Sequence, residues 1–305
     1  MIKVAISGAE TPEAGELIRI LVNHPDVEIV ALVSPGNEGR LVQNVHHGLL
    51  GEEKITFTGV FRPEGVDLLF VTNPSITIDD LRKLRETFPE LKIIAFSHIS
   101  APADEEKEQI VFALPEINRK LLVRGARTAV IPSPLTSLAL VPLYPLALNL
   151  LLSSDISLQI SAPQDIIRQE DIERAQEEIA NRLADAQKSF AGKISISPLP
   201  PTSKRGIELT AEIACPLDME HLARVFGIYD DHNFSFAIMN PVKLDDVKGT
   251  EKCIVSLSRT KDDRLHIHAV ADGRLRGSAG EAVHVMNLLF GLHEKTGLYL
   301  KPYAF

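Results

Sequence analysis

Short apolar runs alternate with amphipathic stretches through the first half of the chain. Five of these runs have the length and the β-branched content of buried parallel strands, and each ends in small or polar residues: 2–7, 27–33, 68–72, 92–96 and 128–131. Amphipathic stretches at residues 16–23 and 78–87 read as the helices between them. Alternating strands and helices predict an α/β fold with a Rossmann-type, doubly wound parallel sheet.

The pattern changes after Ser154, where period-two alternation sets in. Five strands are predicted there: 156–161, 193–197, 206–214, 253–258 and 265–271. Helices are predicted over 164–189, 217–229 and 282–292. Because few helices connect these strands, we expect an α+β domain with a mainly antiparallel sheet, one face of which is free to pack on a partner subunit.

These patterns predict two domains. Residues 1–137 and 282–305 would form a Rossmann NAD(P)-binding-type domain, and residues 138–281 a substrate and dimerisation domain. The length of 305 residues suffices for two separate cores.

Composition excludes several classes of function. A net charge of −9 without a basic cluster argues against a nucleic-acid partner. The apolar segment 138–152 is interrupted by two prolines and an asparagine, so we expect no membrane span, and the N-terminus reads as a strand instead of a signal peptide. Two cysteines in the whole chain form no disulfide framework, which indicates a reducing cytoplasm.

The turn after the first strand is the candidate cofactor loop. A dinucleotide-binding turn needs glycines where the backbone approaches the phosphates, but here Gly8-Ala9 is followed by Thr11 and Ala14 at the other two glycine positions. Two acidic residues, Glu10 and Glu13, oppose the binding of an anion. A weakened NAD(P) loop and a βα turn without a ligand both stay open. Further candidate cofactor contacts follow the next strands: Ser34, Arg40 (for a 2′-phosphate), Asn73 and Pro74.

A Pro-Ser-Pro turn ends the run at 128–131, where open α/β sheets place ligands and catalytic side chains. The turn carries no thiol, imidazole or carboxylate. The hydroxyls of Ser133 and Thr136 are the nearest alternatives, but a hydroxyl without an adjacent base is a poor nucleophile. We expect Ser133 to cap the turn.

The histidine pairs do not predict a metal site. His46 and His47 are adjacent, so they do not share one face of a regular element, and no further ligand motif completes the set. His266 and His268 share one face of a predicted strand, and we expect them to hydrogen-bond to neighbouring groups. Lys204 and Arg205 are candidates for binding a substrate phosphate or carboxylate, and a solvated turn is the alternative.

Three segments carry a resemblance to a known family. They read Leu-Pro-Glu-Ile-Asn-Arg at 114–119, Val-Lys-Gly-Thr at 247–250 followed by Cys253, and Asp-Gly-Arg-Leu-Arg-Gly-Ser-Ala-Gly-Glu-Ala-Val at 272–283. The last segment is similar, without a gap, to the Asp-Asn-Leu-x-Lys-Gly-Ala-Ala-Gly-x-Ala-Val of the semialdehyde dehydrogenases of amino-acid biosynthesis. The chain resembles N-acetyl-gamma-glutamyl-phosphate reductase and, more distantly, aspartate-semialdehyde dehydrogenase over nearly its whole length.

The resemblance implies NADPH-dependent reduction of an acyl phosphate through a thioester on a cysteine assisted by a histidine. It places the nucleophile at or beside Pro134, and residues 161–188, where the family carries its histidine, contain none. The resemblance also implies NADP(H) as cofactor, Gly277 beside it, an anion contact from Arg274 and Arg276, and a homodimer, with a tetramer as the alternative.

Three hypotheses follow. The chain is a degenerate family member without thioester chemistry that binds a ligand or a partner as a dimer, which is the one we favour. Alternatively, it is an NAD(P)-dependent oxidoreductase that acts on an aldehyde or acyl phosphate through a nonstandard site. In the third, it is a structural subunit that pairs with an active paralogue.

Overall fold

A computed structural model of the chain describes residues 1–51, 54–102 and 109–302. The described residues form two compact units. The first comprises Met1–Pro132 and Ser278–Tyr299, and the second comprises Ser133–Gly277 and, of the described residues, also 300–302. The sequence-based boundaries lie slightly later in the chain at both junctions, at residues 137 and 281.

The first unit is built on a parallel sheet of seven strands: β1 (Ile2–Ser7), β2 (Val27–Val33), β3 (Phe57–Thr58), β4 (Leu68–Val71), β5 (Lys92–Ala95), β6 (Ile110–Phe112) and β7 (Thr128–Val130). The order is β3-β2-β1-β4-β5-β7-β6, and every pairing is parallel. The chain switches from one side of β1 to the other, so the ends of β1 and β4 flank the crevice where such sheets bind ligands. The predicted doubly wound sheet is confirmed.

The described residues include seven α-helices: α1 (Pro12–Leu21), α2 (Ile78–Thr87), α3 (Pro115–Val123), α4 (Pro134–Leu148), α5 (Gln169–Ala186), α6 (Met219–Phe226) and α7 (Ala279–Leu289). α1 begins where the side chain of Thr11 accepts a hydrogen bond from the Ala14 N–H and Pro12 occupies the first helical position. Its apolar residues recur at helical spacing and are buried: Ala14, Leu17, Ile18 and Leu21.

The sheet of the second unit has six strands: β8 (Ile156–Ser161), β9 (Ile194–Leu199), β10 (Gly206–Ile213), β11 (Ser235–Ile238), β12 (Cys253–Arg259) and β13 (Leu265–Asp272). Their order is β11-β12-β13-β10-β8-β9. The three inner pairings are antiparallel, and each outer pairing is parallel. The expectation of a second domain with a mainly antiparallel sheet is therefore confirmed. The sheet is mixed, because the two outer pairings, β11 with β12 and β8 with β9, are parallel.

Alternation along β13 separates the two faces of this sheet. The buried side is apolar, with Leu265, Ile267 and Ala269, whereas His266 and His268 on the other side are half-buried. α4 packs against the strands of this sheet and is buried on nearly all sides although it contains Pro142 and Pro145. Among the described helices, none has the length and apolar character needed to cross a membrane.

Candidate functional site

The glycine turn after β1 is shaped by the loop that follows β4. Gly8 has a φ of +81°, and a Cβ built on it would lie 2.5 Å from the backbone nitrogen of Asn73 and 2.9 Å from Oγ1 of Thr72. The Thr72 hydroxyl lies within hydrogen-bond distance of two carbonyl oxygens, those of Ser7 at 2.9 Å and Gly8 at 2.8 Å. Glycine is therefore required at residue 8 by the neighbouring backbone.

Most backbone donors of this turn are already used. The N–H groups of Gly8 and Ala9 both donate to the Val33 carbonyl at 3.1 Å, and the Thr11 N–H donates to the Gly8 carbonyl at 3.0 Å. Capping by Thr11 uses a further donor of α1, that of Ala14.

Two N–H groups at the start of α1, those of Glu10 and Glu13, make no hydrogen bond to the described residues. A helix N-terminus with open N–H groups attracts anions. Both N–H groups belong to glutamates. An anion at this turn would therefore meet hydrogen-bond donors and negatively charged side chains at the same place.

His46 ties the loop after β2 to this turn. Its Nε2 lies 2.7 Å from the carbonyl oxygen of Ala9, which can only accept, so Nε2 carries the proton. A Cβ on Gly15 would lie 2.6 Å from Nδ1 of the same imidazole. Gly15 thus makes room for His46. We missed this role because only the fold brings residues 9, 15 and 46 together.

A series of hydrogen-bonded polar side chains begins at the carboxyl end of β2. Ser34 is buried, and its hydroxyl accepts a hydrogen bond from Asn37 Nδ2 at 2.9 Å. The guanidinium of Arg40 donates to Asn37 Oδ1 at 2.6 Å. In dinucleotide-binding folds the end of β2 is where the adenosine ribose is recognised. A hydroxyl and an exposed cation at this place fit a phosphorylated ribose.

Asn73 and Pro74 follow β4, next to the glycine turn. Oδ1 of Asn73 accepts a hydrogen bond from the Ser75 N–H at 2.9 Å, which forms an Asx-type turn. The backbone of Asn73 is the group that limits residue 8 to glycine. Both predicted contacts therefore lie at the sheet edge that contains the turn.

The Pro-Ser-Pro turn leads directly into α4. Ser133 is the N-cap: its Oγ accepts from the Thr136 N–H at 3.1 Å and lies 3.0 Å from the Thr136 hydroxyl. Pro134 occupies the first helical position. In the part of the chain that the structure describes, no imidazole or carboxylate hydrogen-bonds to either hydroxyl.

Gly277 packs on the same turn. Its φ is +64°, and a Cβ on it would overlap the backbone nitrogen and Cα of Pro134. At Gly277 the segment 272–283 therefore approaches the start of α4 closely, backbone against backbone. This contact requires glycine at position 277.

Both cysteines are free, buried and remote in sequence from this turn. Cys253 begins β12, opposite Ala271 of β13. Cys215 lies in the loop after β10, which ends at Ile213 ahead of Pro216.

The predicted anion-binding side chains have carboxylate neighbours within the second unit, with Lys204 the exception. Arg205 Nε donates to Asp272 Oδ2 at 2.9 Å, and Arg274 pairs with Asp165. Arg276 is fully buried, where Nε donates to the Ser137 hydroxyl at 2.7 Å and a terminal nitrogen lies 3.9 Å from Glu251. Lys204 is exposed.

Asp272 holds three segments of this region together. Its carboxylate accepts from Arg205, from the Gly249 N–H at 2.7 Å and from the Arg274 N–H at 3.0 Å. The side chain is fully buried. In the sequence Asp272 is the first residue of the segment 272–283, which does not indicate the groups that its carboxylate binds.

Comparison with known proteins agrees with this geometry. The family described as "Semialdehyde dehydrogenase, NAD binding domain" matches residues 3–124. The chain is 35% identical to the N-acetyl-gamma-glutamyl-phosphate reductase of Parabacteroides distasonis over 328 residues, covering 100% of both chains. The enzyme of the same name from Phocaeicola vulgatus is 32% identical over 328 residues, again with 100% of both chains.

Solved structures share the fold. Aspartate semialdehyde dehydrogenase II of Vibrio cholerae, complexed with ASA, has a TM-score of 0.68 at 14% identity, covering 95% of this chain and 98% of that one. The aspartate semialdehyde dehydrogenase of Candida albicans, solved with NADP, has a TM-score of 0.66 at 14% identity with the same coverage. The chain belongs to the semialdehyde dehydrogenase family. Within it, the relatives that match over the whole chain include N-acetyl-gamma-glutamyl-phosphate reductases.

Proposed function

We propose that this chain is a semialdehyde dehydrogenase homologue that forms no thioester and acts as a ligand-binding dimer. The observation that carries the proposal is the start of α4. Pro134 stands there at the first helical position, where the resemblance expects the nucleophilic cysteine, and a proline side chain offers no nucleophile.

The neighbouring hydroxyls do not replace a thiol. Ser133 uses its oxygen to cap α4 and contacts the Thr136 hydroxyl, so the two groups satisfy each other. A serine nucleophile needs a base within hydrogen-bond reach, and the contacts of these hydroxyls include none among the described residues. Ser133 and Thr136 therefore serve the helix.

The first unit retains the features of a nucleotide site, and we propose that it binds NADP(H) weakly. The N–H groups of Glu10 and Glu13 would face the pyrophosphate, and their carboxylates would lower the affinity. Ser34 and Arg40 would hold the ribose and its 2′-phosphate. The remaining predicted contacts of this unit would shape the loop and the nicotinamide end: Gly8, Ala9, Thr11, Ala14, Asn73 and Pro74.

An NAD(P)-dependent oxidoreductase acting on an aldehyde or acyl phosphate is the second candidate. The left-handed glycine at residue 8 and the capped start of α1 favour it. Bound NADPH would supply the hydride. The chain would have to position the carbonyl with groups other than a thiol.

We propose that the dimer forms through the open face of the second sheet. Half-buried and exposed polar side chains cover this face, and they form two pairs across strands: His268 Nε2 lies 3.2 Å from Glu208 Oε2, and His266 Nδ1 lies 4.0 Å from Glu212 Oε1. Light scattering after size-exclusion chromatography tests this part. Twice the chain mass is expected, four times would indicate a tetramer, and a monomer would favour pairing with an active paralogue.

The decisive experiment combines calorimetry with mass spectrometry of the intact protein. Titration with NADPH and NADP⁺ should give saturable binding with a free energy near −8 kcal/mol, a micromolar Kd. After incubation with N-acetyl-gamma-glutamyl phosphate, the wild-type mass should be unchanged and NADPH should not be consumed.

Pro134→Cys provides the positive control, because it returns a thiol to the helix start, and Pro134→Ala is its matched variant without one. An acyl adduct on Pro134→Cys alone would agree with the proposal. An acyl adduct on the wild type, or NADPH consumption by it, would support the oxidoreductase instead. If titration with NADPH and NADP⁺ gives no heat of binding, NADP(H) is not the ligand, and the proposed binding function concerns another molecule.

A further inference from the structure

The second unit contains an apolar pocket of about 640 Å³ between the edge of its sheet and the start of α5. All its lining residues lie in the second unit. Apolar side chains form most of its lining, and six of them are leucine or isoleucine: Leu135, Ile160, Ile167, Ile172, Ile196 and Leu199. Pockets for small molecules measure roughly 300–1,000 Å³ and have mainly apolar walls, so size and lining fit such a ligand.

The walls of this pocket are held in place. On one side lie Pro198, Pro200 and Pro201, whose rings fix their backbone φ angles. The Ser161 hydroxyl donates to the Pro200 carbonyl at 2.9 Å and accepts from the Thr202 N–H at 3.2 Å. The pocket is thus largely formed before a ligand enters, which lowers the entropic cost of binding.

The edge strand beside the pocket is closed to an added peptide strand. On the outward side of β9, the Ile196 N–H already donates to Gln176 Oε1 of α5 at 2.9 Å, and Pro198 has no N–H. A peptide that extends a sheet needs such donors. The occupant is therefore better sought among small molecules.

The mouth of the pocket is polar and electrically balanced. Gln164 and Gln169 are exposed amides that make no hydrogen bond to the described residues. Arg168, the cation of the lining, pairs with Glu170 at 3.1 Å. An amide both donates and accepts, so the mouth suits an uncharged polar group.

We infer that this pocket binds a neutral small molecule with an aliphatic body and an amide-like or hydroxyl-like polar end. The aliphatic body would lie on the floor of Leu135 and Ile160, and the polar end would face the two glutamine amides. The inference rests on the proposed function in one respect, since it names the class of ligand for a binding protein. It does not require NADP(H).

Calorimetric titration of the full-length protein with octanamide tests the pocket, with octanoate and octylammonium as charged compounds of the same chain length. Octanamide should bind saturably and about tenfold tighter than either ion, a difference near 1.4 kcal/mol. Leu199→Trp, which fills the pocket, should weaken octanamide binding about tenfold. Leu148→Trp is the matched control, because the two leucines are 42% and 43% exposed and Leu148 lies outside the pocket.

Absence of saturable binding by the wild type, or equal binding by wild type and Leu199→Trp, would overturn the inference. So would a change in oligomeric mass on Leu199→Trp substitution, because a second copy would then cover the pocket. NADPH titration of the same samples separates the two proposals. Loss of NADPH binding alone would count against the nucleotide site, whereas loss of octanamide binding alone would count against this pocket.

Discussion

Nε2 of His46 donates a hydrogen bond to the carbonyl oxygen of Ala9 at 2.7 Å, and the imidazole lies directly over Gly15. The loop after β2 is thereby fixed to the turn after β1. His46 thereby adds a side-chain link to the backbone hydrogen bonds from Gly8 and Ala9 to Val33, which join the phosphate turn to the ribose end of the proposed nucleotide site.

This contact predicts that the effect of Gly15→Ala on the free energy of unfolding changes sign when His46 is removed. In a helix interior alanine is favoured over glycine by about 0.5–1 kcal/mol, but a methyl group on Gly15 would displace the imidazole and its hydrogen bond, worth about 1 kcal/mol. Gly15→Ala should therefore lower the free energy of unfolding of the wild type and raise that of His46→Ala. Urea denaturation measures both. Equal effects in the two backgrounds would show that Gly15 and His46 are not coupled, and His46→Gln, which keeps an N–H donor, should retain most of the wild-type stability.

The glycine turn predicts a second pair of variants. Gly8 and Gly39 both have positive φ angles, +81° and +76°, but only Gly8 has backbone atoms where a Cβ would lie. The left-handed conformation costs a non-glycine residue about 1–2 kcal/mol, and overpacking adds about 1–3 kcal/mol. Gly8→Ala should thus lose roughly twice the stability that Gly39→Ala loses in thermal unfolding. Similar losses would mean that the turn yields easily to a side chain.

Replacing Arg205 or Arg274 by alanine should lower the free energy of unfolding by unequal amounts, although both arginines pair with an aspartate. Asp272, the partner of Arg205, is fully buried, whereas the partner of Arg274, Asp165, is 64% exposed. Removing one member of a buried pair costs about 3–5 kcal/mol, less here because Arg205 itself is 31% exposed, and an exposed pair contributes about 0–1 kcal/mol. Arg205→Ala should therefore unfold at clearly lower urea concentration than Arg274→Ala. If Arg205 instead serves mainly as an anion contact, the two variants should be equally stable and differ in ligand affinity.

The sequence predicted those strands and helices whose own residues show a clear hydrophobic pattern. The run that became β4 is buried on both sides, those of β1 and β2 are mainly apolar, and α1 shows helical spacing and a capping threonine. β3, β6 and β11, of two to four residues each, were missed, whereas the equally short β4, β5 and β7 were found. The parallel pairing of β8 with β9 also escaped prediction, because the direction of a pairing depends on a partner far along the chain.

The candidate site was predictable only in part for the same reason. Gly8 and the Pro-Ser-Pro turn were found because each follows a strand that the pattern identifies. Contacts that join distant segments, such as Arg205 to Asp272 or His46 to Ala9, have no local signature. A basic residue in a turn looks the same in sequence whether it binds a ligand or a buried carboxylate.

His24 predicts how the first unit responds to acid. Its Nδ1 accepts a hydrogen bond from the Asp26 N–H at 3.2 Å, and its Nε2 lies 3.1 Å from Asn287 Oδ1. Nδ2 of Asn287 donates to the carbonyls of Glu294 and Thr296, so its Oδ1 faces the imidazole and accepts from it. Burial lowers the pKa of His24 below its usual value, and protonation would also place a second donor against the Asp26 N–H.

The folded state therefore binds fewer protons at this site than the unfolded chain does. Stability from the neutral imidazole is complete above the unfolded pKa of about 6.5 and falls as the pH drops below it, toward the lower folded value. His24→Gln keeps an acceptor for Asp26 and a donor for Asn287 but cannot titrate, so its thermal midpoint should fall less than that of the wild type between about pH 7 and pH 5. Every other titratable group is common to both proteins, so the difference between the two curves isolates His24. Parallel curves would show that His24 is protonated as readily in the folded protein as in the unfolded chain.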